Sequence, residues 1–237
     1  MYFQFLIEDS STAKLIKHVM DKMQIKHPDR EILYEIKYFS GIGHLGKKGN
    51  LMERKGNNLL NNLPLYMKAF DKALKNIDAS LVVVVDNDKR DNIQFRKQLE
   101  QVAETLHLDI NYIFCIAVKE MEAWLLGDEQ AILEAYPYAK RKYLKSYIQD
   151  GICDTWQVLA NMVYPGGLNQ LMKIAKNGYG EIGKAKGEWA DKIGERLDLE
   201  RKENIPSSHD GMCDRHRNAT LFIVTKAINS LKTIQVA

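Results

Sequence analysis

Apolar positions divide the chain into short continuous runs alternating with helical stripes. Tyr2-Phe3-Gln4-Phe5-Leu6-Ile7 reads as an opening strand that ends in Glu8-Asp9. Leu15, Ile16, Val19, Met20 and Met23 then recur at helical spacing, with Ser10 or Ser11 placed to cap that helix. His27-Pro28 marks a break, and Ile32–Phe39 has the composition of a second strand. A helix follows over Leu59–Ile77, with a start just before Pro64 as the alternative and with Leu65, Phe70, Leu74 and Ile77 on its buried side. Leu81-Val82-Val83-Val84-Val85 is the strongest run. Five apolar residues, four of them β-branched, predict a strand buried on both faces, as in the middle of a mostly parallel sheet. Ile93, Phe95, Leu99, Val102 and Leu106 mark another helix, and Ile110–Val118 another apolar strand.

Strands alternating with helices predict an α/β fold, a central, mostly parallel sheet flanked by helices. The pattern weakens after Asp128. Helical segments are expected around Gln130–Ala135, Lys140–Ile148 and Leu168–Ala175, the last preceded by Pro165-Gly166-Gly167. A further helix is expected through Trp189, Ile193 and Leu197, and a final one with Leu221, Phe222, Val224 and Ile228 buried. The division expected is therefore an α/β core over 1–128 and a mainly helical extension over 129–237.

Acids recur where the strands end. Asp86 and Asp88, spaced i, i+2, follow the central run, and Glu8 follows the first strand. Ligands of open α/β sheets bind beyond the carboxyl ends of the strands. Carboxylates from two such ends can converge on a hard cation such as Mg²⁺, which favours oxygen ligands and keeps several of its own waters. The plain structural alternative has Asp86 capping the next helix and Asn87-Asp88 forming a turn. The strand ending at Val118 also runs into acids, in Lys119-Glu120-Met121-Glu122-Ala123-Trp124-Leu125. In a helix starting here, Met121, Trp124 and Leu125 form the inner stripe. Glu120 and Glu122 then point roughly 200° apart, at about 100° per residue. One of them faces a site, and the other holds Lys119 or a backbone N–H at the helix start.

Ser40–Gly49 carries four glycines and two lysines. Gly-rich turns expose N–H groups that cradle phosphate. Gly41 to Gly46 and Lys47 match the spacing of a P-loop, but Lys48 stands where a hydroxyl is needed. The alternatives are a mobile loop whose Lys47 and Lys48 meet a phosphate backbone, and a solvated loop in which His44 is a surface residue. Lys140, Arg141, Lys142 and Lys145, interleaved with Tyr136, Tyr138, Tyr143 and Tyr147, form a basic-aromatic cluster of the kind that holds single strands, or else a solvated helix face.

Composition narrows the classes. Of 237 residues, 45% are hydrophobic, enough for a real core, and the net charge of +3 permits a nucleic-acid partner without arguing for one. Cys115, Cys153 and Cys213 have no paired spacing, which suits a reducing compartment and offers no thiolate zinc site. His209 and His216 lack a third ligand at suitable spacing. No signal peptide and no segment of membrane-spanning length is expected, so the expected location is the cytoplasm, with no membrane partner.

Glu8 after the first strand, Asp86-x-Asp88 after a central one and a further acid after a later one resemble the TOPRIM fold. That fold occurs in topoisomerases, primases and the nucleases associated with OLD-family ATPases. The closer resemblance is to the DUF4276 group of TOPRIM-like proteins, through Glu120-Met121-Glu122-Ala123-Trp124-Leu125-Leu126-Gly127-Asp128 and, more weakly, Ser207-Ser208 before the last helix. The resemblance implies that Glu8 is the acid of the first TOPRIM motif and Asp86 and Asp88 those of the second, with Glu120 and Glu122 accessory. It implies Mg²⁺, with Mn²⁺ as a substitute, held by Glu8, Asp86, Asp88 and Glu122, and chemistry by Glu8, Asp86, Asp88 and Glu120. Lys47, Lys48 and Lys119 are the candidates to steady a phosphate. The first motif usually has Gly directly after its Glu, whereas this chain has Asp9. The function expected is a metal-dependent nuclease, with a partner ATPase as one setting. The alternative is a non-catalytic module that binds a protein or nucleic acid.

Overall fold

The structure is a computed structural model and describes residues 1–46, 56–117, 119–148, 151–176, 178 and 180–199. The chain divides into two compact units, the first Met1–Ile116 and the second beginning at Ala117.

The first unit is an α/β layer structure. Strand β1 (Tyr2–Ile7) leads to helix α1 (Ser10–Lys26), β2 (Leu33–Tyr38), α2 (Leu59–Ala73), β3 (Ala79–Asp86), α3 (Asn92–Leu106) and β4 (Asn111–Ala117). The four strands are all parallel, in the order β2-β1-β3-β4. Both β2 and β3 pair with β1, in registers that set Ile7 beside Tyr38 and beside Val84. β3 is buried at every position, as its β-branched run requires of a strand covered on two faces.

Parallel neighbours need crossovers, and these are right-handed in such sheets. The chain steps from β1 outward to β2, then back across β1 to β3, so α1 lies on one face and α2 and α3 on the other. Leu59, Leu63, Met67, Phe95, Leu99 and Val102 of α2 and α3 share one core with Leu6, Leu81, Val83 and Val85. On the α1 side, Leu15, Ile16, Val19, Met20 and Met23 are buried, with Phe3, Phe5 and Ile7 fully enclosed.

Local chemistry places the element boundaries. Asp9, not Ser10 or Ser11, is the cap of α1: its carboxylate accepts the Thr12 N–H at 2.8 Å and the Ser11 hydroxyl at 2.8 Å. A carboxylate is a stronger acceptor than a hydroxyl, and the extended backbone of Asp9 is what the capping position demands. Asp91, not Asp86, caps α3, accepting the Gln94 N–H at 2.8 Å. α2 starts at Leu59, ahead of Pro64, because its first amides find acceptors in the preceding loop: Leu59 donates to the Gly41 carbonyl and Leu60 to that of Ile42. It stops at Ala73, so Ile77 lies beyond the helix and is 54% exposed, while Leu65, Phe70 and Leu74 are half-buried.

Beyond Ala117, the regular elements among the second unit's described residues are all helices. α4 (Glu122–Leu126), α5 (Glu129–Ala135), α6 (Lys142–Lys145), α7 (Thr155–Val163), α8 (Gly167–Ile174) and α9 (Gly180–Gly194) follow in order. α4 is buried at every position, and Trp124 is core as its stripe predicts. Trp189, Ala190 and Ile193 of α9 are buried, as is Leu197 beyond it. The helix expected over Lys140–Ile148 shrinks to the single turn of α6, and Tyr147 is buried while Tyr138 is 95% exposed. The four tyrosines therefore do not present one stacking surface. α7 carries only a short apolar stripe, Leu159, Ala160 and Met162, which sequence spacing did not single out. Among the described residues no helix is long and apolar enough to cross a membrane. Ser207-Ser208, His209, Cys213, His216 and the last expected helix lie outside the described residues.

Candidate functional site at the strand ends

The order of the strands selects one place on the sheet. After β1 the chain turns outward to β2, and after β2 it returns past β1 to β3, so the strand order reverses between β1 and β3. At such a switch point the loops leaving the two strands diverge to opposite faces, and the crevice between them receives the ligand. Glu8 follows β1, and Asp86 is the last residue of β3. Two of the acids picked out by sequence stand at this crevice.

They are joined there. Glu8 remains in the sheet's hydrogen-bond frame, donating its N–H to the Val84 carbonyl at 3.2 Å and accepting the Gly41 N–H on its own carbonyl at 3.0 Å. Its carboxylate reaches past the end of the register, and Oε2 accepts the Asp86 backbone N–H at 3.1 Å. Asp86 is 7% exposed and Asn87 2%. A buried carboxylate needs hydrogen bonds or a counter-charge, and the next turn brings the Arg90 guanidinium to 3.5 Å from the Asp86 backbone carbonyl.

That turn closes on itself. Arg90 donates its N–H to the Asn87 carbonyl at 3.1 Å, and Asn87 Nδ2 donates to the Arg90 carbonyl at 2.7 Å. Asp88 takes the left-handed conformation at φ 51°, which aspartate tolerates better than most side chains. The Arg90 guanidinium donates from Nη1 to Asp88 Oδ2 at 3.1 Å and to the Asn87 carbonyl at 3.3 Å, and lies 5.1 Å above the Phe95 ring centre. Asp88 thus sits in an ion pair beside the crevice. The sequence offered no role for Arg90. Its place two residues beyond the second acid of Asp86-x-Asp88 is the signal that a cation returns to the same turn.

The glycine loop after β2 runs past Glu8 and is fastened to α2. Gly43 has φ 69°, and a Cβ there would stand 2.0 Å from Asn61 Oδ1 and 2.5 Å from Asn58 Cβ, so only glycine fits. His44, exposed, donates its backbone N–H to Asn61 Oδ1 at 2.8 Å. The first amides of α2 are engaged by the Gly41 and Ile42 carbonyls, so they are not open to a phosphate as they would be in a P-loop. Lys47 and Lys48 lie outside the described residues.

The remaining predicted residues belong to the second unit. Glu120 is 8% exposed and precedes α4; its Oε1 accepts the Asp154 N–H at 3.1 Å and its Oε2 the Thr155 hydroxyl at 2.8 Å, which ties it to the start of α7. Glu122 is completely buried, with Lys186 Nζ 3.1 Å from Oε1. Lys119 is half-buried. The fixed partners, Thr155 and Lys186, lie 35 and 64 positions along the chain from the acids they serve, out of reach of any local pattern.

A magnesium ion commonly needs only one or two protein carboxylates, the rest of its shell being water and substrate oxygens. Glu8 and Asp86, carboxylates at adjacent strand ends, fit that donor set. Asp88 Oδ2 is held by Arg90 beside them. Among the described residues no three His, Cys, Asp or Glu side chains are gathered as a ready-made cage. Comparison with protein-family models, with curated proteins and with solved structures finds no match for this chain.

Proposed function

We propose that this chain is a magnesium-dependent phosphodiester hydrolase, a nuclease, built on a TOPRIM-like core. The observation that carries this reading is the meeting of Glu8 with the Asp86 backbone at the switch point of the sheet. The acid pattern that resembles the TOPRIM motifs supports it. Glu8 and Asp86 would hold the ion, Mg²⁺ or Mn²⁺. When bound, such an ion lowers the pKa of water, orients it and neutralises charge on the scissile phosphate. The chain's own part is to fix the two carboxylates on rigid strand ends and to set the Arg90 guanidinium beside them, where a planar, permanently charged group suits a phosphodiester. Glu8 serves alternatively as the general base.

A second reading is a non-catalytic TOPRIM-like module for a nucleic acid or a partner protein such as an ATPase. It is favoured by the ion pair that Arg90 makes with Asp88, since a guanidinium occupies part of the place a cation would take.

Calorimetric titration with Mg²⁺ and Mn²⁺ tests the first reading. Saturable binding by the wild type, weakened at least about tenfold in Glu8→Gln and in Asp86→Asn protein checked to be folded, is expected. Cleavage of DNA or RNA that needs the metal and disappears in both variants completes the expectation. A wild type that neither binds the ions nor cleaves overturns the hydrolase in favour of the module.

A further inference from the structure

Beside the acid crevice, and wholly within the first unit, lies a cavity of about 660 Å³. One wall is a stripe of α3. Phe95, Gln98, Gln101, Val102 and Thr105 recur at the three- and four-residue intervals that share one helix face. The loop Gly43–Gly46, Leu60 of α2 and Arg90 complete the lining. The size is within the range of roughly 300–1,000 Å³ typical of small-molecule sites, and His44, Arg90, Gln98, Gln101 and Thr105 make the lining about as polar as it is apolar.

The lining has three chemically distinct parts. Leu45, Leu60 and Val102 offer apolar surface to the faces of a flat ring. Gln98 and Gln101, both exposed, add two amides, each a donor and an acceptor at once, beside the buried Phe95 and Val102. Neither side chain makes a hydrogen bond among the described residues. Amides of this kind match the mixed donor and acceptor edge of a nucleobase. Arg90 adds the group best shaped for a phosphate. A ring, a polar edge and an anion together define a nucleotide.

We propose that this cavity binds one nucleotide, with its base between the α3 stripe and the glycine loop and its phosphate on Arg90. The nucleotide is either a free molecule or one unit of a strand. Binding here does not require the metal chemistry proposed above. The two sites share Arg90, however. A phosphate that draws the guanidinium away from Asp88 removes that ion pair beside the neighbouring crevice.

The test is an NMR titration of the full chain in EDTA with nucleoside 5′-monophosphates, adenosine, ribose 5-phosphate and a short single-stranded oligonucleotide. A saturable response of the Phe95–Thr105 amides to at least one monophosphate, with a dissociation constant below about 1 mM, is expected. Gln98→Ala/Gln101→Ala, at exposed positions that folding tolerates, weakens it at least about tenfold. Arg90→Gln weakens the monophosphate but leaves adenosine unchanged. Retention of monophosphate binding by Glu8→Gln and Asp86→Asn separates this site from the hydrolase reading. An oligonucleotide that competes assigns the cavity to a strand, and one that does not assigns it to the free molecule. No saturation at millimolar nucleotide, unchanged affinity in the double glutamine variant, or ribose 5-phosphate binding as tightly as the monophosphates would each overturn the proposal.

Discussion

Asp9 is the residue at which this chain parts from the pattern it resembles, and its structural work is specific. Its carboxylate closes the N-terminus of α1 through the Thr12 N–H and the Ser11 hydroxyl. Asp9→Ala is expected to cost about 1 kcal/mol, whereas Asp9→Gly costs only a few tenths of a kcal/mol (about 0.3), because glycine leaves the cap open to water. Urea unfolding of the two variants checks the difference. Cysteine reactivity is decided at the same scale. Burial pushes the Cys115 thiol up to about 12, and the residue is fully enclosed in β4, whereas Cys153 is half-buried. The thiolate is the reactive form. In Cys213→Ser protein, an alkylating reagent should label Cys153 well before Cys115 under native conditions, as read by peptide mass spectrometry. Reversal of that order would mean that β4 is open to solvent.

At the scale of elements, α1 and β2 are tied by the Tyr34 hydroxyl, which donates to Asp21 Oδ1 at 2.7 Å. Burial, and then the bond to Asp21, raise the Tyr34 pKa from 10.0 to about 12. For Asp21, burial acts to raise the pKa, but the bonds from Tyr34 and Lys17 outweigh it, and the net shift is downward from 3.8. The signs follow from linkage. The raised phenol contributes stability that is complete below pH 10.0 and is lost as pH climbs to about 12. The lowered carboxyl contributes stability that is present above pH 3.8 and is lost as pH falls further. Tyr34→Phe should therefore reduce the fall in stability at both ends, seen in unfolding curves across pH. Part of the alkaline fall remains, since Tyr2 is raised to about 12 in the same way, by burial and by its bond to Glu35. The loop between β2 and α2 makes a separate demand. Gly43→Ala places a methyl against Asn61 and Asn58 at positive φ, and should destabilise by about 1–3 kcal/mol. Thermal unfolding of the variant measures it.

At the scale of the whole molecule, the two units hold their charges differently. In the first, Glu8 and Asp86 lie at the carboxyl ends of the two central strands. In the second, Glu122 is wholly buried, and its ammonium partner Lys186 is 20% exposed. Removing one member of a buried pair leaves a charge without compensation, whereas replacing both by apolar groups is often neutral. Lys186→Met is expected to destabilise by about 3 kcal/mol, and Glu122→Met/Lys186→Met to recover most of that loss. Chemical denaturation of the three proteins gives the comparison. A double variant no better than the single one would show that Glu122 is held chiefly by groups other than Lys186.

The sequence by itself determined the strands and the acids at their ends. β-branched runs have few alternatives to a buried parallel strand, and an acid cannot continue such a run, so β3 and its terminal Asp86 were legible without coordinates. Trp124 and its stripe were legible for the same reason, helical periodicity being a local property. Capping was legible only as a choice among neighbours, and the stronger acceptor, Asp9, took it. Tertiary structure alone decided which acids meet. The Glu8 contact to the Asp86 amide spans 78 positions and depends on β1 lying beside β3, a pairing that no pattern within either strand specifies. The same is true of Glu120 with Thr155 and of the cavity between α3 and the glycine loop. Side-chain type and local spacing are written along the chain, but the proximity that makes a site comes from the order in which strands are laid side by side.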